Sequence, residues 1–302
     1  MTTSWLRAAG ACAALVSVFA LGSCSLGFEL DREQCEKTSD CASFGAAECI
    51  DNVCVSIANT GGSNEGGAGG SPPVDPNWEC LDSFMPPDPG GSTVIHSFKF
   101  VLAIDEQHIP MNLSVDVCSS TDIGCLSPQE ANLVPDAEGK LDVELDVGQL
   151  NVFLKVTSDE TMPTTVFLQA PVKIPQSEKV IRMVSQATIE VLAEQAANEE
   201  WDPTRSSLVV TTSNCLDERA TGVRVESMDG DANTVPFYFA DGFPNPDATE
   251  TDAQGAAGFL NMPVGPATVK IYRAATDEFI GTGTYIAQAG VLSYLPIGPT
   301  ED

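Results

Sequence analysis

Apolar and polar residues alternate along four segments in the middle of the chain, at positions 97–104, 111–117, 141–145 and 152–156. A period of two is typical of strands that bury one face and expose the other. The pattern therefore predicts that residues 78–302 fold mainly as β-strands.

One segment has the helical period instead. The apolar residues on this period are Ile189, Leu192, Ala193 and Ala196. Their spacing of i, i+3, i+4 and i+7 places them on one face of a helix, and Ser185 before them is a residue type that favours the N-cap. We therefore expect one short helix within residues 185–205, connecting two larger units.

An internal repeat indicates what those two units are. The sequence Asp-Ala-x-Gly occurs at residues 136–139 and again at 252–255, and a second glycine follows 9 residues later in the first copy and 10 in the second. Asp and Gly supply turn geometry, and glycine tolerates positive φ. The repeat supports a division of this all-β region into two tandem units, at 78–184 and 206–302.

The amino end has the pattern of an export signal. Arg7 is followed by an apolar run over residues 8–21, which matches a signal-peptide core and is too short to span a bilayer as a helix. The run ends in Leu21-Gly22-Ser23-Cys24. Residues 1–23 are therefore expected to be a signal peptide.

Those last four residues resemble the lipobox of bacterial lipoproteins. The resemblance implies that Cys24 receives a diacylglyceryl group, becomes the first mature residue and finally carries three acyl chains such as palmitate, which give stable membrane anchoring. The uncharged Ser25 resembles the sorting signal for the outer membrane. The implied protein is lipid-anchored at the bacterial outer membrane, facing the periplasm or the surface. An ordinary secretory signal is the alternative.

The charge balance excludes one class of partner. The chain has 43 acidic and 14 basic residues, with a formal net charge of −29. Such an excess repels nucleic acid and anionic lipid headgroups. Nucleic acid is therefore not expected as a partner, and acyl chains remain the expected contact with the membrane.

The mature chain, without the Cys12 of the signal peptide, has eight cysteines besides Cys24, which fit an oxidising compartment. They are Cys35, Cys41, Cys49, Cys54, Cys80, Cys118, Cys125 and Cys215. An even number favours disulfides, whereas zinc would need closer Cys pairs or more partners than His96 and His108.

The first four of these cysteines lie in residues 24–57, which contain few large apolar residues and must be held by disulfides. This segment resembles the short Cys-rich modules that follow lipoboxes in some bacterial surface lipoproteins, and its connectivity stays open. In the rest of the chain, a turn between Cys118 and Cys125 predicts that these two pair, which leaves Cys80 for Cys215.

Residues 58–77 are rich in glycine and serine and end in prolines, so they are expected to be a linker. A flexible linker of this length spans roughly 25 Å on average.

The carboxyl-terminal segment carries a family resemblance. The turn at 251–255, the apolar pair Phe259-Leu260, the following Pro263-Val264-Gly265 and the strand at 220–225 are similar to the carboxypeptidase regulatory-like domain. The resemblance covers about 206–297, with a divergent copy at about 92–184. It implies a seven-stranded, transthyretin-like antiparallel sandwich that serves as an accessory module. A generic immunoglobulin-like sandwich is the alternative.

No catalytic constellation is found in the sequence. A metallocarboxypeptidase needs His-x-x-Glu, but Lys99 follows His96 and Met111 follows His108 at that spacing. No Gly-x-Ser-x-Gly nucleophile elbow occurs either. The chain is therefore expected not to be an enzyme and to need no cofactor.

Two further groups of residues are candidate binding sites. Asp229, Asp231 and Asn233 alternate like the start of a calcium loop, but the glycine and the bidentate glutamate of such a loop are missing, so we interpret them as a turn. The aromatic residues Trp78, Trp201, Phe237, Tyr238 and Phe239 could form a carbohydrate-stacking face, although such residues more often fill a sandwich core.

The sequence thus favours a non-catalytic, lipid-anchored cell-surface protein that displays β-sandwich interaction modules to an unknown protein or glycan. A glycan-binding surface lipoprotein is the second hypothesis, and an enzyme of unrecognised type is the third.

Overall fold

A computed structural model of the chain describes residues 47–50, 53–56, 75–81, 93–146, 152–168, 178–197, 199–240 and 242–300. These residues form strands almost throughout, with a single α-helix among them. The predicted all-β fold class is therefore confirmed.

The described residues form seventeen strands and one α-helix. They are β1 (Ala47–Ile50), β2 (Val53–Ser56), β3 (Thr93–Leu102), β4 (Ser114–Ser119), β5 (Glu130–Leu133), β6 (Lys140–Asp146), β7 (Val152–Thr157), β8 (Thr164–Leu168), β9 (Lys179–Met183), α1 (Gln186–Ala197), β10 (Ser206–Thr212), β11 (Val223–Ser227), β12 (Val235–Ala240), β13 (Phe243–Asn245), β14 (Ala256–Met262), β15 (Gly265–Arg273), β16 (Phe279–Ala287) and β17 (Leu292–Ile297).

The centre of the molecule is one nine-stranded sheet in the order β13-β12-β14-β10-β17-β8-β7-β4-β5. Strands from the first half of the structure (residues 93–183) and from the second half (residues 206–300) both belong to it. The last strand, β17, joins the halves because it pairs in parallel with β10 on one side and with β8 on the other. We call the β8–β17 boundary the seam.

Two three-stranded sheets cover this central sheet. They have the orders β6-β3-β9 and β11-β15-β16. Most strand pairs are antiparallel, as the sequence predicts, but β3 and β9 form a third parallel pair. Each parallel pair joins strands that are separated by other elements, and such pairings leave no trace in local alternation.

The covering sheets lie on opposite faces of the central sheet. In β7, Phe153 belongs to a core with Ile271 and Tyr285 of the second half, whereas its neighbour Leu154 belongs to a core with Phe98 of the first half. Successive side chains of a strand point to opposite faces. The β11-β15-β16 sheet therefore covers one face, which we call face A, and β6-β3-β9 covers part of the other, face B.

Helix α1 covers the remainder of face B. Ile189 and Ala193 are buried there with Trp201, Phe237 and Leu260. The predicted N-cap is present, because the hydroxyl of Ser185 accepts a hydrogen bond from the backbone N of Thr188. The helix thus packs on the second half as well as connecting the halves.

The repeated Asp-Ala-x-Gly segments form the same kind of turn in both halves. In each copy the aspartate carboxylate accepts a backbone N–H two residues later, and the glycine N donates to the carbonyl of the aspartate. Gly139 and Gly255 have φ of 78° and 59°, and a Cβ atom on either would approach backbone atoms within 3 Å. Glycine is therefore required at both positions.

Candidate functional site

The predicted lipidation site lies outside the described residues, as do the signal peptide, Cys35 and Cys41. Of the Cys-rich module, the structure describes the backbone of the β1–β2 hairpin, in which Cys49 lies opposite Cys54. Within the described part of the chain, no helix has the length and apolar composition needed to cross a bilayer.

Residues 75–81, which we call the tether base, are fixed to the second half. Cys80 forms a disulfide with Cys215, with the two Cα atoms 5.6 Å apart, as the sequence predicts. The backbone N of Cys215 also donates to the carbonyl of Asn77 at 2.9 Å. Trp78 and Leu81 pack against the face A core. The chain therefore attaches to the second half before it enters the first.

Charged groups strengthen this attachment. The guanidinium of Arg273 lies 5.7 Å from the ring centroid of Trp78 and 3.6 Å from a carboxylate oxygen of Asp75. The same guanidinium pairs with Glu278 at 2.9 Å. Trp78 is thus held between the core and a cation, instead of forming part of an exposed aromatic row.

The turn that carries Cys215 is held by its own side chains. The Oδ1 atom of Asn214 accepts hydrogen bonds from the backbone N of Leu216 and of Glu218, at 2.9 and 3.0 Å. Asp217 adopts a φ of 64° within this turn. Asn214 is therefore a positioning residue for the disulfide, and an Asx turn preceding a cysteine is the sequence signal that could have identified it.

The second predicted disulfide is also present. Cys118 and Cys125 are bonded with their Cα atoms 5.4 Å apart, and both are buried in the face A core. The loop that they close exposes Ile123, and Leu126, which follows Cys125, is 87% exposed. The carboxylate of Asp122 accepts the backbone N–H groups of Leu126 and Ser127, and these hydrogen bonds lower the pKa of Asp122.

The calcium candidates do not converge on a common point. Asp229 accepts the backbone N–H of Thr268 at 2.7 Å. Asp231 instead pairs with Arg205 at 2.6 Å, and this hydrogen bond lowers the pKa of Asp231. The backbone N of Asn233 donates a hydrogen bond to the carboxylate of Asp231, and its side chain is not used in this contact. In the described ranges, no group of three or more His, Cys, Asp or Glu residues is arranged to hold a metal ion.

The two histidines lie in different environments. His108 is partly exposed, and its Nε2 atom is 3.0 Å from a carboxylate oxygen of Glu160. That carboxylate also accepts the backbone N of Met111, and the two contacts lower the pKa of Glu160. Among the described residues, His108 has no hydrogen bond to a hydroxyl or thiol, so the pair lacks a nucleophile. Its observed role is to join two loops.

His96 is buried in the first half. Only 6% of its surface is exposed, and its Nε2 atom has no hydrogen-bond partner among the described residues. Burial, with a smaller contribution from the charge of Lys179, lowers the pKa of His96 to about 4. The imidazole is therefore neutral at pH 7.

The remaining aromatic candidates fill cores. Trp201 is 7% exposed and donates its indole N–H to the hydroxyl of Ser207 at 3.2 Å. Phe237 and Tyr238 are buried on opposite faces of the central sheet. The phenol of Tyr238 accepts the backbone N–H of Val225 on the edge of β11. Trp201, Phe237 and the half-buried Phe239 therefore meet inside a core and not on an exposed stacking surface.

A groove of about 450 Å³ lies beside Trp201, between residues 199–205 and 232–235. Its floor includes Asn261, which was not identified from the sequence. This buried side chain accepts the backbone N–H of Asp202 at 2.9 Å and donates to the carbonyl of Glu200 at 3.0 Å. Asn261 has a φ of 54° at an irregular point in β14, a position that the alternation does not mark.

The groove and the tether base lie at opposite ends of the molecule. Strands β10 and β17 run in parallel, with Ser207 opposite Leu292 and Thr212 opposite Ile297. Cys215 follows the end of β10, whereas the groove loop precedes its start. At about 3.3 Å per residue, the length of β10 separates them by roughly 20 Å. We call these the tether end and the distal end.

Comparisons with known proteins leave the family open. No protein-family model matches the chain, and no curated protein matches it. Among solved structures, the Bacillus anthracis TIE protein is 13% identical with a TM-score of 0.21, covering 69% of this chain and 34% of that one. The chain therefore spans about a third of that relative's length.

Two further solved structures have similar scores. A streptococcal ancillary pilin is 10% identical with a TM-score of 0.21, and 68% of each chain is covered. BcpA, the major pilin subunit of Bacillus cereus, is 10% identical with a TM-score of 0.23, covering 68% of this chain and 70% of that one. TM-scores of this size do not establish a shared fold.

Proposed function

We propose that this chain is a non-catalytic lipoprotein of the bacterial outer membrane, anchored through acyl chains on Cys24, that displays its β-sandwich domains as interaction modules. The observation that carries this proposal is the tether base. The chain arriving from the linker is bonded by Cys80–Cys215 to one end of the molecule. An attachment at one end leaves the distal loops free to meet a partner.

The charge of the protein supports anchoring by lipid and not by surface attraction. A chain with a net charge of −29 is repelled by anionic headgroups, so acyl chains must supply the membrane affinity. Two or more chains give stable anchoring where one gives only marginal binding. The linker before the tether base holds the folded part away from the bilayer.

The carboxylates at the loops support a structural role. Glu160, Asp231 and Asp122 are all occupied by backbone N–H groups or by a basic side chain. A general base needs a free position within hydrogen-bond reach of a substrate proton. These groups instead fix the loops that a binding partner would meet, which supports a display function over an enzymatic one.

We infer that residues 206–302, which include the second half, are a carboxypeptidase regulatory-like domain and that residues 78–184, which include the first half, are a divergent copy. The shared turn geometry at Gly139 and Gly255 supports this inference. Each half also contributes one three-stranded sheet that packs on the central sheet. The proposed partner is a protein, because the aromatic residues that would favour a glycan are buried in cores or, like Trp78 and Phe239, half-buried against them.

Replacement of the lipidated cysteine tests the proposal. We expect Cys24→Ala to release the protein from the membrane fraction and to abolish incorporation of labelled palmitate. Cys12→Ala is the matched control, because it removes a thiol from the signal segment and should leave both properties unchanged. Retention of Cys24→Ala in the membrane pellet after carbonate washing would show that something other than lipid holds the chain.

A further inference from the structure

The outer edge of β11 is closed by hydroxyl groups from other parts of the chain. The backbone N–H of Val223 donates to the hydroxyl of Thr251 at 3.1 Å. The backbone N–H of Val225 donates to the hydroxyl of Tyr238 at 3.0 Å. These side chains occupy backbone groups with which a further strand could otherwise pair.

The outer edges of β16 and β9 are also partly occupied. The backbone N of Thr300 donates to the carbonyl of Ile280 in β16 at 3.0 Å. In β9, the carbonyl of Arg182 accepts a hydrogen bond from the hydroxyl of Tyr294. The central sheet ends in β13 and β5, which have only three and four residues. Short or occupied edges of this kind prevent unwanted strand pairing.

Strand β6 has a long edge that is not closed in this way. It has seven residues and pairs with β3 on one side only. The backbone N of Phe100 donates to the carbonyl of Gly139, so this pair is a hydrogen-bonded one. Because hydrogen-bonded and non-hydrogen-bonded pairs alternate in an antiparallel ladder, the N–H and C=O groups of Asp142 and Glu144 point away from β3. No described residue forms a hydrogen bond with these four backbone groups.

The turn before β6 closes only the start of this edge. The backbone N of Lys140 donates to the carboxylate of Asp136, and its carbonyl accepts the backbone N of Asp136, both at 2.8 Å. Beyond Lys140, two donors and two acceptors remain on the alternate residues Asp142 and Glu144. An extended chain can bind such an edge through main-chain hydrogen bonds, and its alternate side chains then supply specificity.

The side chains beside the open backbone groups are exposed carboxylates. One oxygen of Asp142 accepts the hydroxyl of Ser97 at 2.5 Å, and one oxygen of Glu144 accepts the hydroxyl of Thr93 at 2.6 Å. Residues directly opposite each other on paired strands have side chains on the same face, where opposite charges attract and like charges repel. A second copy of β6 would place acidic residues opposite acidic residues, whereas a basic segment matches the edge.

We propose that the outer edge of β6 binds an extended segment of a partner protein as a further antiparallel strand, with lysine or arginine at the two positions opposite Asp142 and Glu144. This inference rests on the protein partner proposed above and adds the mode of binding. Strand β6 belongs to the first half, whereas the tether base is bonded to the second half. The open edge therefore lies on the half to which the tether base is not bonded.

A peptide with the sequence Thr-Lys-Val-Lys-Thr, blocked at both ends, tests the proposal on the full-length protein in detergent. We expect saturable binding that slows amide hydrogen exchange in residues 140–146, because the N–H groups of Asp142 and Glu144 become hydrogen-bonded. N-methylation of the two lysine nitrogens removes the donors that face β6 but keeps both charges, so it should abolish binding. N-methylation of the central valine, whose N–H faces away from β6, is the matched control and should preserve binding.

Variants test the contribution of charge. Replacing both peptide lysines by glutamine, or introducing Asp142→Asn/Glu144→Gln into the protein, should raise the dissociation constant about fivefold, because two opposite-charge cross-strand pairs are lost. Glu218→Gln/Glu250→Gln is the matched control, since it removes two exposed carboxylates from the second half and should leave binding unchanged.

The proposal would be overturned by unchanged exchange in residues 140–146, by equal binding of the lysine-methylated or glutamine peptide, or by equal weakening in the control double variant. The membrane release expected for Cys24→Ala enters none of these measurements. Failure of strand addition at β6 and failure of lipid anchoring are therefore distinguishable.

Discussion

The two halves of this molecule cover opposite faces of one sheet, but they depend on each other unequally. The second half includes β17, the strand that completes the sheet between β10 and β8. The first half lacks a neighbour of its own for the outer edge of β8 and receives that strand from the end of the chain. The tether base also bonds to the second half, although it precedes the first half in sequence.

This difference shows that a repeat in sequence need not correspond to separate cores. Phe153 and Phe167 of the first half lie in the face A core, where Phe167 packs edge-on against Tyr285 of the second half at 5.9 Å. The boundaries at 78–184, 185–205 and 206–302 stay a prediction, because they concern independent folding. The shared core predicts instead that residues 78–302 unfold as one cooperative β-rich unit.

The largest expected effect comes from the disulfide that encloses the first half. In the loop-entropy model, Cys80–Cys215 closes a loop of 135 residues and contributes about 5 kcal/mol, whereas Cys118–Cys125, with a separation of 7, contributes about 2 kcal/mol. We expect Cys80→Ala/Cys215→Ala to lower the free energy of unfolding about twice as much as Cys118→Ala/Cys125→Ala, measured in urea. Similar losses of unfolding free energy in the two double variants would mean that bonding the tether base to the second half stabilises the protein no more than the local disulfide does.

The second-largest expected effect is a fall in the free energy of unfolding at low pH that originates in the first half. His96, in the first half, has a pKa lowered to about 4, compared with about 6.5 in the unfolded chain. The unfolded state therefore binds more protons between these values, and the free energy of unfolding falls as pH decreases from about 6.5 towards 4. The loss reaches about 3 kcal/mol at full protonation.

A variant isolates this contribution. His96→Phe keeps an aromatic ring and should flatten the fall in stability between pH 6.5 and 4, whereas His108→Gln should keep it. Urea unfolding at several pH values would measure both. An unchanged slope in His96→Phe would mean that His96 does not remain neutral in the folded protein.

The sequence predicted the strands and the helix well because these depend on local pattern. The segment at 152–156 corresponds to β7, and Ser185 is the N-cap of α1. Both disulfides outside the Cys-rich module were also predicted, since turn residues and parity constrained them. The strands, the helix and the Cys118–Cys125 disulfide depend on residues that are close in sequence. The Cys80–Cys215 disulfide could be predicted because these two cysteines remained once Cys118 and Cys125 were paired.

Features that arise from distant pairing could not be predicted in the same way. The position of β17 between β10 and β8 depends on which edges remain free after the other strands have paired. Asn261 is an ordinary polar residue in the sequence, and only the fold brings the loop of Glu200 and Asp202 around it. The aromatic residues were ambiguous because alternation shows that a side chain is buried but not what it packs against.

The smallest expected effect tests the seam directly. The hydroxyls of Thr165 in β8 and Ser293 in β17 are 2.9 Å apart, and both residues are fully or almost fully buried. Removing one partner leaves the other unsatisfied, so Ser293→Ala should lower the free energy of unfolding by about 1–2 kcal/mol. Thr165→Val/Ser293→Ala should lose less unfolding free energy than the sum of the two single variants, because neither hydroxyl is then left without its partner.

Thr164→Val is the control. The hydroxyl of Thr164 donates to the carbonyl of Met162 within the first half, so the loss in Thr164→Val should be additive with the loss in Ser293→Ala. Additivity in the Thr165 and Ser293 pair, measured by urea unfolding, would mean that the halves meet without this hydrogen bond.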